Sequence, residues 1–248
     1  MININNKKIR LNKYISKSGL CSRRKADFLI KLGLISVNNN IIKELGYKVF
    51  INDIIKYNNK ILFIKKNIYL IFNKPKNCIT TLKDNRNRKT IFYYIPNIYK
   101  KYGIFPVGRL DKNTTGILLI TNDGDLTLKL IHPKYKINKD YKVFLNKKLL
   151  YKDLLYIKNG VKLKEGKIKI NFIKLIKKDK KKLIISINLG WNKILHRLFN
   201  KLGYKIINLI RINFAGFKLK DFNLKKGNYI NLKKKKVYNI IKNNKNEK

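Results

Sequence analysis

The sequence is poor in acidic residues, cysteine and histidine. Of its 248 residues only 13 are Asp or Glu, two are Cys and two are His. Cys21 and Cys78 form no C-x-x-C pair, and together with His132 and His196 they do not have the spacing of a zinc site. We therefore expect a protein without metal or cofactor, whose thiols stay reduced as they do in the cytoplasm.

Long apolar runs are also missing. The first residues, MININNKKIRLNKYI, contain no apolar core of signal-peptide length, and no apolar run approaches the roughly 18 residues of a membrane span. The sequence therefore predicts a protein that neither enters nor crosses a membrane.

The charge of the chain is strongly one-sided. It has 60 Lys and Arg residues and a formal net charge of +47, which is typical of a protein whose partner is a polyanion such as a nucleic acid. Charge alone is weak evidence for such a partner, because Lys, Ile and Asn, the residues of AT-rich codons, are all abundant and codon bias is a second source of lysine. Arginine is more informative, since its planar group can stack or form two hydrogen bonds where lysine cannot. The arginines are Arg10, Arg23, Arg24, Arg86, Arg88, Arg109, Arg197 and Arg211.

Residues 10–49 have the pattern of two helices followed by a hairpin. In the second helix, Ser22 is the predicted N-cap and Gly33 is placed to end the helix. An apolar stripe at helical spacing is formed by Ala26, Leu29 and Ile30. The hairpin is predicted to turn at 38–40, where asparagines accept left-handed backbone conformations.

Arg23 and Arg24 lie in the first turn of that second helix, where the helix dipole makes cations mildly unfavourable. Two guanidinium groups beside the free N–H groups of a helix start would form an anion site suited to a phosphate backbone. The alternative is a pair of solvated arginines on a basic surface.

The rest of the chain mixes strand and helix patterns. Residues 56–67 are predicted to be a linker, and a second domain begins with the apolar run IYLIFNKP. Strand-length runs follow in GILLIT, YKVFL, IKINFIKLI and LIISINL, and helical spacing occurs in TLKLIH and NKILHRLFNKLG. Because βαβ units do not alternate regularly, the pattern favours an α+β fold.

Asp111 is a single acid between Arg109 and Lys112 in the stretch PVGRLDKNTTGILLITNDGDL. The two cations favour its anionic form, which suits a nucleophile better than a general acid. The alternative is a turn or capping residue. The stretch lacks the Gly-Lys-Ser/Thr of a P-loop and the distal Glu of an EF-hand. Asp123 and Asp125 are predicted to be the turn and N-cap of the helix that follows.

Two families resemble this sequence. Residues 10–60 resemble the alpha-L RNA-binding domain of a small-subunit ribosomal protein. The segments that carry this resemblance are RLNKYISKSG, SRRKADFLIKLGLISVN and GYKVFINDII. The rest resembles bacterial rRNA pseudouridine synthases of the RsuA/RluB type. Here the matching segments are GRLDKNTTGILLITNDGDL, IHPKYKINKDYKV, NKILHRLFNKLGYKIINLIR and GFKLKDFNLKKGNYINL. The resemblance implies an alpha-L domain at 8–60, a synthase domain at 67–242 and a basic tail at 243–248. The synthase domain is expected to have a mixed, mainly antiparallel sheet flanked by helices.

The synthase resemblance implies that Asp111 attacks a uridine, so that its N1–C1′ bond breaks, the uracil turns, and C5 bonds to C1′. The uridine must be flipped out of its stack, and Arg109 is expected to fill the vacated space. Tyr141 matches a tyrosine that stacks on the flipped base and assists proton removal from C5. Leu209 matches an apolar residue beneath that base. The alternative for Tyr141 and Leu209 is ordinary core packing.

The sequence departs from the family at the last active-site motif. There the family has an acidic residue, then Gly-Arg, a basic residue, Gln and two further basic residues. This chain reads LGWNKILHR from Leu189 to Arg197. Lys193, His196 and Arg197 stand at the basic positions, and one of them is expected to pair with Asp111. Between Lys193 and Arg197 the sequence does not decide.

The predicted function is isomerisation of a uridine to pseudouridine in ribosomal RNA. Of the ribosomal RNAs, that of the large subunit is the favoured substrate. A monomer would act on rRNA or on a precursor of a ribosomal subunit. The predicted RNA contacts are Arg23, Arg24, Arg109, Lys112 and Lys139.

The alternative is a basic ribosome-assembly protein that uses the same two domains only to hold RNA. The departures from the family at Leu189, Trp191 and Ile194 favour it. The presence together of Arg109, Asp111 and Tyr141 argues against it.

Overall fold

A computed structural model describes residues 8–82, 84–176 and 179–246. The chain divides into two compact units. The first comprises the chain up to Ile68 together with Pro96–Phe105, and the second comprises Tyr69–Ile95 together with the chain from Pro106 onward.

Within the described residues, the first unit contains three helices and six short strands. Its helices are α1 (Leu11–Lys17), α2 (Arg23–Lys31) and α3 (Asn97–Lys100). Its strands are β1 (Ile9–Arg10), β2 (Ile35–Val37), β3 (Asn40–Ile41), β4 (Lys48–Val49), β5 (Ile55–Tyr57) and β6 (Lys60–Ile61). Four strands form an antiparallel sheet in the order β3-β2-β5-β6, and β1 pairs with β4.

The predicted start and end of α2 are confirmed. The Ser22 hydroxyl accepts the backbone N–H of Lys25 at 3.4 Å, and Gly33 has a φ of +70°. The predicted stripe of Ala26, Leu29 and Ile30 is buried in the core of this unit. The predicted hairpin turn is confirmed by φ values of +48° at Asn38 and +71° at Asn39. The prediction of a linker at 56–67 is wrong over its first part, since β5 and β6 extend the sheet to Ile61.

The described part of the second unit contains four α-helices and most of the strands. The helices are α4 (Gly124–Ile131), α5 (Tyr151–Asn159), α6 (Ile194–Lys201) and α7 (Lys234–Asn246). Single 3-10 turns occur at Ile91–Tyr93, Pro133–Tyr135 and Leu219–Phe222. The strands, with β8 at the boundary between the units, are β7 (Tyr69–Lys74), β8 (Phe105–Pro106), β9 (Thr115–Thr121), β10 (Lys139–Leu145), β11 (Val161–Leu163), β12 (Gly166–Ile168), β13 (Phe172–Ile176), β14 (Asp179–Ile187), β15 (Ile206–Phe214), β16 (Phe217–Lys218) and β17 (Tyr229–Asn231).

The main sheet has the strand order β13-β14-β10-β15-β9-β7-β17, with β8 and β16 pairing to β9 and β15. Neighbours on this path are antiparallel except β15 and β9, which run parallel. The predicted α+β class with a mixed, mainly antiparallel sheet is therefore confirmed. Strands β7 and β9 are buried at every residue, which accounts for their continuous apolar sequences.

Helices α4 and α7 both pack on the core of this sheet. The buried cluster includes Leu126 and Leu130 of α4, Val237 of α7, and Tyr69, Ile71, Ile117 and Leu119 of the two central strands. Asp123 caps α4, because its carboxylate accepts the N–H of Leu126 at 3.0 Å. The same carboxylate accepts the hydroxyls of Tyr69 at 2.8 Å and Tyr238 at 3.2 Å, and so connects α7 to the start of α4. The predicted helix start with an aspartate cap is confirmed, but the N-cap is Asp123 and not Asp125, which lies in the first turn.

Two local predictions for this unit are corrected. The run IKINFIKLI is not one strand, since β12 ends at Ile168 and pairs with β11, whereas β13 begins at Phe172 and pairs with β14. The basic C-terminal stretch is helical through Asn246, and Val237 on it is fully buried. Of the predicted tail at 243–248, residues 247 and 248 lie outside the described residues. In the part of the chain that is described, no helix has the length and apolar character needed to span a membrane.

Gly116 lies where the two parallel strands β9 and β15 come closest. It pairs with Arg211 and has a φ of +107°. A Cβ at this position would lie 2.2 Å from the carbonyl oxygen of Arg211 and 2.8 Å from its backbone nitrogen. Because both contacts are with backbone atoms, no side-chain rotation can relieve them. The glycine is required by the close approach of the two strands.

Replacing Gly116 with Ala should therefore lower the free energy of unfolding by on the order of 3 kcal/mol, since strained φ and steric overlap add. Urea unfolding measures this change. Gly124→Ala is the matched control, because a Cβ on Gly124, the first residue of α4, meets nothing within 4 Å. Alanine is also the better helix former, so the control should be as stable as the parent or slightly more so. Equal stability of the two variants would contradict this role of Gly116.

Candidate active site

A cleft of about 670 Å³ opens in the second unit. Four parts of the chain line it: the loop that carries Asp111, strands β10 and β15, and the segment 187–196 that leads into α6. A fifth contribution comes from residues 79–81, Asp84 and Arg88. Of the residues predicted for the site, those on the cleft are Arg109, Asp111, Lys139, Tyr141, Lys193 and Leu209.

Asp111 is half-buried on a loop that is fixed on both sides. Before it, the Thr80 hydroxyl donates to the carbonyl of Leu110 at 2.8 Å and accepts the N–H of Leu110 at 3.2 Å. After it, the Nζ of Lys74 donates to the carbonyls of Lys112 at 3.1 Å and Thr114 at 2.9 Å. A turn closes the loop, because the carbonyl of Asp111 accepts the N–H of Thr114 at 3.1 Å. The carboxylate is therefore carried by a backbone with little freedom.

Lys74 is fully buried, at 0% exposure, at the end of β7. Its third acceptor is the carbonyl of Pro75, at 3.0 Å, so its three N–H groups all have partners. Burial lowers the pKa of this lysine to about 8, although Cys78 and Asp111 act in the opposite direction. A buried cation thus stabilises the loop beside Asp111 through three backbone carbonyls.

Tyr141 and Arg211 lie directly opposite each other on the antiparallel strands β10 and β15. Both side chains are buried and line the cleft, and Arg211 is only 2% exposed. Burial raises the pKa of Tyr141 above its ordinary value, and the charge and hydrogen bond of Arg211 partly oppose this. The tyrosine hydroxyl therefore remains protonated near neutral pH.

The guanidinium of Arg211 makes several contacts with described residues and keeps one nitrogen that has no partner among them. Its Nε donates to the carbonyl of Ile117 at 2.8 Å, and its Cζ lies 4.8 Å from the centre of the Phe214 ring. Its buried Nη2 has no hydrogen-bond partner among the described residues. Since an unpaired buried donor is costly, this nitrogen is available to a ligand in the cleft.

Arg197 does not line the cleft, and the prediction that it pairs with Asp111 is not supported by its contacts. Its two terminal nitrogens donate to the Glu165 carboxylate at 2.6 and 2.7 Å, and its Nε donates to the carbonyl of Asn192 at 2.9 Å. The pKa of Glu165 is lowered by this hydrogen bonding. The physical reason is helix geometry, because consecutive residues on α6 point about 100° apart. His196 faces the cleft, so Arg197 faces the β11–β12 hairpin.

The other candidate cations of that segment do face the cleft. Lys193 is exposed and stands at the start of α6 with a φ of +44°. His196 is half-buried in the first turn of the helix. These two, and not Arg197, are the basic groups of the last motif that share the cleft with Asp111.

The remaining predicted residues fall into three environments. Arg109 is exposed at the cleft and Leu209 is buried in its wall. The Nζ of Lys139 donates to the carbonyls of Asn188 at 3.1 Å and Leu189 at 3.4 Å, and burial lowers its pKa to about 8. Lys112 is exposed and does not line the cleft.

Arg23 and Arg24 belong to the first unit, where both are exposed in the first turn of α2. A phosphate contact by these two residues stays a prediction. Within the described residues, no group of three or more His, Cys, Asp or Glu side chains is arranged to hold a metal ion.

Three residues of the site described above, Lys74, Thr80 and Arg211, were not predicted from the sequence. Lys74 gave no local signal, because one lysine among so many is not informative. The sequence did contain a signal for Arg211, since it is among the few arginines and lies two residues after Leu209. Residues two apart on a strand share a face, so the prediction for Leu209 implied a cleft position for Arg211.

Comparisons with known protein families agree with both halves of this description. A family model described as RNA pseudouridylate synthase matches residues 68–203, and a model described as S4 domain matches residues 9–55. The resemblance found in the sequence is therefore confirmed for both parts of the chain.

Relatives match over most of their length. The ribosomal large subunit pseudouridine synthase B of Bacillus subtilis (strain 168) is 38% identical over 216 residues, covering 85% of this chain and 87% of that protein. A protein of the same name from Buchnera aphidicola subsp. Baizongia pistaciae is 33% identical, covering 83% and 86%. A crystal structure described as pseudouridylate synthase has a TM-score of 0.67 at 25% identity and covers 94% of this chain and 99% of that one.

Proposed function

Because the chain belongs to the RNA pseudouridylate synthase family, we propose that it converts a uridine of large-subunit ribosomal RNA to pseudouridine with Asp111 as the nucleophile. The observation that carries the proposal is the position of Asp111, held by Thr80 and Lys74 in a cleft that also contains the Tyr141–Arg211 pair. A fixed carboxylate beside a buried tyrosine and a buried guanidinium is suited to attack on a base held in that cleft.

The choice of ribosomal RNA as substrate rests on two observations. The relatives from B. subtilis and Buchnera carry names that specify the large ribosomal subunit. The formal charge of +47 and the S4 segment at 9–55 both suit a large, folded polyanion. Arg23 and Arg24 would contact its phosphates from the first turn of α2, with Lys112 as a further contact near the cleft.

The proposed reaction is an isomerisation and needs no outside reactant. The carboxylate of Asp111 attacks C1′ of the uridine, the N1–C1′ bond breaks, and the freed uracil turns in the cleft. C5 then bonds to C1′ and displaces the carboxylate of Asp111, which leaves unchanged. C5 loses its proton and N1 gains one, so that atoms and charge balance. The ring of Tyr141 stacks on the base and its hydroxyl, held by Arg211, assists the transfer of the C5 proton. Leu209 packs beneath the base.

A base inside a helical stack cannot reach Asp111, so the uridine must be flipped out, which costs a few kcal/mol. Arg109 is exposed at the cleft, and its planar group can occupy the vacated space and stack on the neighbouring bases. Its role would be to stabilise the flipped state.

Arg109→Lys keeps the charge near Asp111 but loses the stacking plane. We expect about a tenfold to hundredfold loss of rate on a structured rRNA fragment, since stacking contributes about 1–3 kcal/mol per base. On an unstructured oligonucleotide that already exposes its uridine, the loss should be smaller. Single-turnover rates on the two RNAs make the comparison, and equal losses on both would show that Arg109 acts by charge alone.

The proposed function is tested by mapping pseudouridine in large-subunit rRNA from cells with and without the gene. The same site should then be modified on an unmodified rRNA transcript by the purified protein. Loss of one pseudouridine in the deletion strain, restored by the purified protein, is the expected result. If the map is unchanged and the protein binds rRNA without modifying it, the non-catalytic assembly protein is the correct interpretation.

A further inference from the structure

Trp191 is the single tryptophan of the sequence, and it lines the cleft that contains Asp111. The residue is only partly buried and stands between Gly190 and Asn192, which are both exposed. Contact of a large apolar ring with water is unfavourable. A partly buried tryptophan on the wall of a cleft therefore favours a ligand that covers the rest of its surface.

The segment that carries Trp191 is fixed on both sides. Before it, the Nζ of Lys139 donates to the carbonyls of Asn188 at 3.1 Å and Leu189 at 3.4 Å. After it, a turn leads into α6, because the carbonyl of Trp191 accepts the N–H of Ile194 at 3.3 Å. The ring is therefore carried by a backbone that needs little ordering when a ligand binds.

The far edge of the ring lies against the turn of the β11–β12 hairpin. A Cβ on Gly166 would lie 3.6 Å from the Cη2 of Trp191, which is ordinary van der Waals contact. The hairpin itself is joined to α6, since the Nζ of Lys201 donates to the carbonyl of Lys162 at 2.7 Å. A planar ring that is supported at one edge and open to a cleft has the form of a stacking platform for a nucleobase.

The chemistry of the side chain indicates which part of an RNA it would take. The family pattern has an arginine where this chain has Trp191. An arginine can pair with a phosphate or stack on a base, but an uncharged indole offers mainly a π surface, on which any base can stack. The exposed Lys193 remains on the cleft to contact a phosphate. The cleft, at about 670 Å³, lies in the range of sites for drug-sized ligands, so a second nucleotide has room beside a flipped uridine.

We propose that Trp191 stacks on a base adjoining the target uridine, and that the enzyme thereby selects a uridine whose neighbour is unpaired. The proposal rests on the proposed function, because it takes the uridine in the cleft to be the substrate. A paired neighbour would have to leave its own stack before it could reach the ring, whereas a loop nucleotide pays little of this cost. The tryptophan that departs from the family pattern is then part of substrate recognition.

The stacking contact can be measured without activity. The sequence has one tryptophan, so indole fluorescence, excited outside the tyrosine band, reports on Trp191 alone. The full chain is titrated with a short oligouridylate and with a chain of the same number of abasic sugar phosphates. Both should bind through their phosphates, but only the oligouridylate should quench the indole, because stacking needs a base. Equal quenching by the two, or none by bound oligouridylate, would overturn the proposal.

Trp191→Leu removes the ring plane and keeps an apolar side chain. On an rRNA fragment that contains the mapped uridine, its dissociation constant should rise about fivefold to hundredfold, the range for loss of one base–aromatic stack. The single-turnover rate at saturating protein should change little. Trp191→Tyr keeps a ring and should recover most of the affinity. Tyr151→Leu is the matched control, since Tyr151 is 72% exposed on α5 and does not line the cleft, and it should bind as the parent does. Thermal denaturation verifies that each variant is folded.

The RNA side of the contact is removed from the same fragment by deleting the base 5′ or the base 3′ of the uridine. For one of these two abasic fragments, base deletion and Trp191→Leu together should weaken binding no more than either change alone. Additive losses with both fragments would overturn the proposal and leave the proposed function intact. Base-dependent quenching by a protein that forms no pseudouridine would instead overturn the proposed function and, with it, the selection of a target uridine.

Discussion

Asp111→Asn should abolish pseudouridine formation, by more than about 10³-fold, because an amide cannot act as the nucleophile. The loop itself should be unaffected. The contacts that fix it are made to the backbone of Leu110, Lys112 and Thr114, and an amide is nearly the same size as a carboxylate. Affinity for rRNA should therefore stay within a few-fold of the parent. Pseudouridine per transcript and RNA binding are measured on the same preparation.

The matched control is Asp125→Asn. Asp125 is exposed in the first turn of α4 and does not line the cleft. It should keep its activity within a few-fold, so that loss of activity in the Asp111 variant alone assigns the nucleophile. Residual turnover near that of the parent in Asp111→Asn would show that another group attacks the uridine.

Arg211→Lys should also have a large effect, a loss of about tenfold to hundredfold in the single-turnover rate on any RNA substrate. One ammonium cannot replace a guanidinium that donates to the carbonyl of Ile117, interacts with Tyr141 and lies over Phe214. Loss of a charged hydrogen bond at a buried position costs about 1.5–3 kcal/mol, which corresponds to this range of rate. The rate at saturating RNA should fall, and RNA affinity should change little.

The control for this variant is Arg197→Lys. Arg197 makes a bidentate contact with the Glu165 carboxylate outside the cleft. Its replacement should therefore reduce the rate by less than about threefold. A double-mutant cycle then tests the pair directly. If Arg211 acts through Tyr141, adding Tyr141→Phe to Arg211→Lys should cause little further loss. Additive losses would assign Arg211 a task independent of the tyrosine.

The local parts of the fold could be predicted from the sequence because they depend on local chemistry. The Ser22 cap, the stop at Gly33 and the turn at Asn38 are each set by the residue itself and its immediate neighbours. Helix α7 was missed although Val237, Ile240 and Ile241 have helical spacing and pack on the core. The lysines that flank these residues, at 233–236 and at 242, resemble a solvated tail, and only packing on the sheet makes the helix stable.

The candidate site likewise contains residues that local motifs indicate and residues whose place depends on packing between distant segments. Asp111 and Tyr141 are recognisable because their motifs are contiguous in the sequence. The choice between His196 and Arg197 depends on the rotation of α6, which packing sets and no motif reveals. The position of Lys74 against the carbonyls of Lys112 and Thr114 joins residues that are 38 and 40 positions apart. Contacts of this kind follow from strand order, which local patterns do not encode.

The order of strands in the main sheet has a consequence for synthesis of the protein on the ribosome. Strand β7, which opens the second unit, pairs on one side with β17, near the end of the chain, where Leu70 lies opposite Asn231 and Phe72 opposite Tyr229. At 5–20 residues per second, roughly ten to thirty seconds pass between translation of the two strands. The four-stranded sheet of the first unit, made from Ile35–Val37 to Lys60–Ile61, can pair during that time. The nascent chain therefore carries a folded basic unit while one edge of β7 is still unpaired, and a prematurely terminated product would keep that edge open to aggregation.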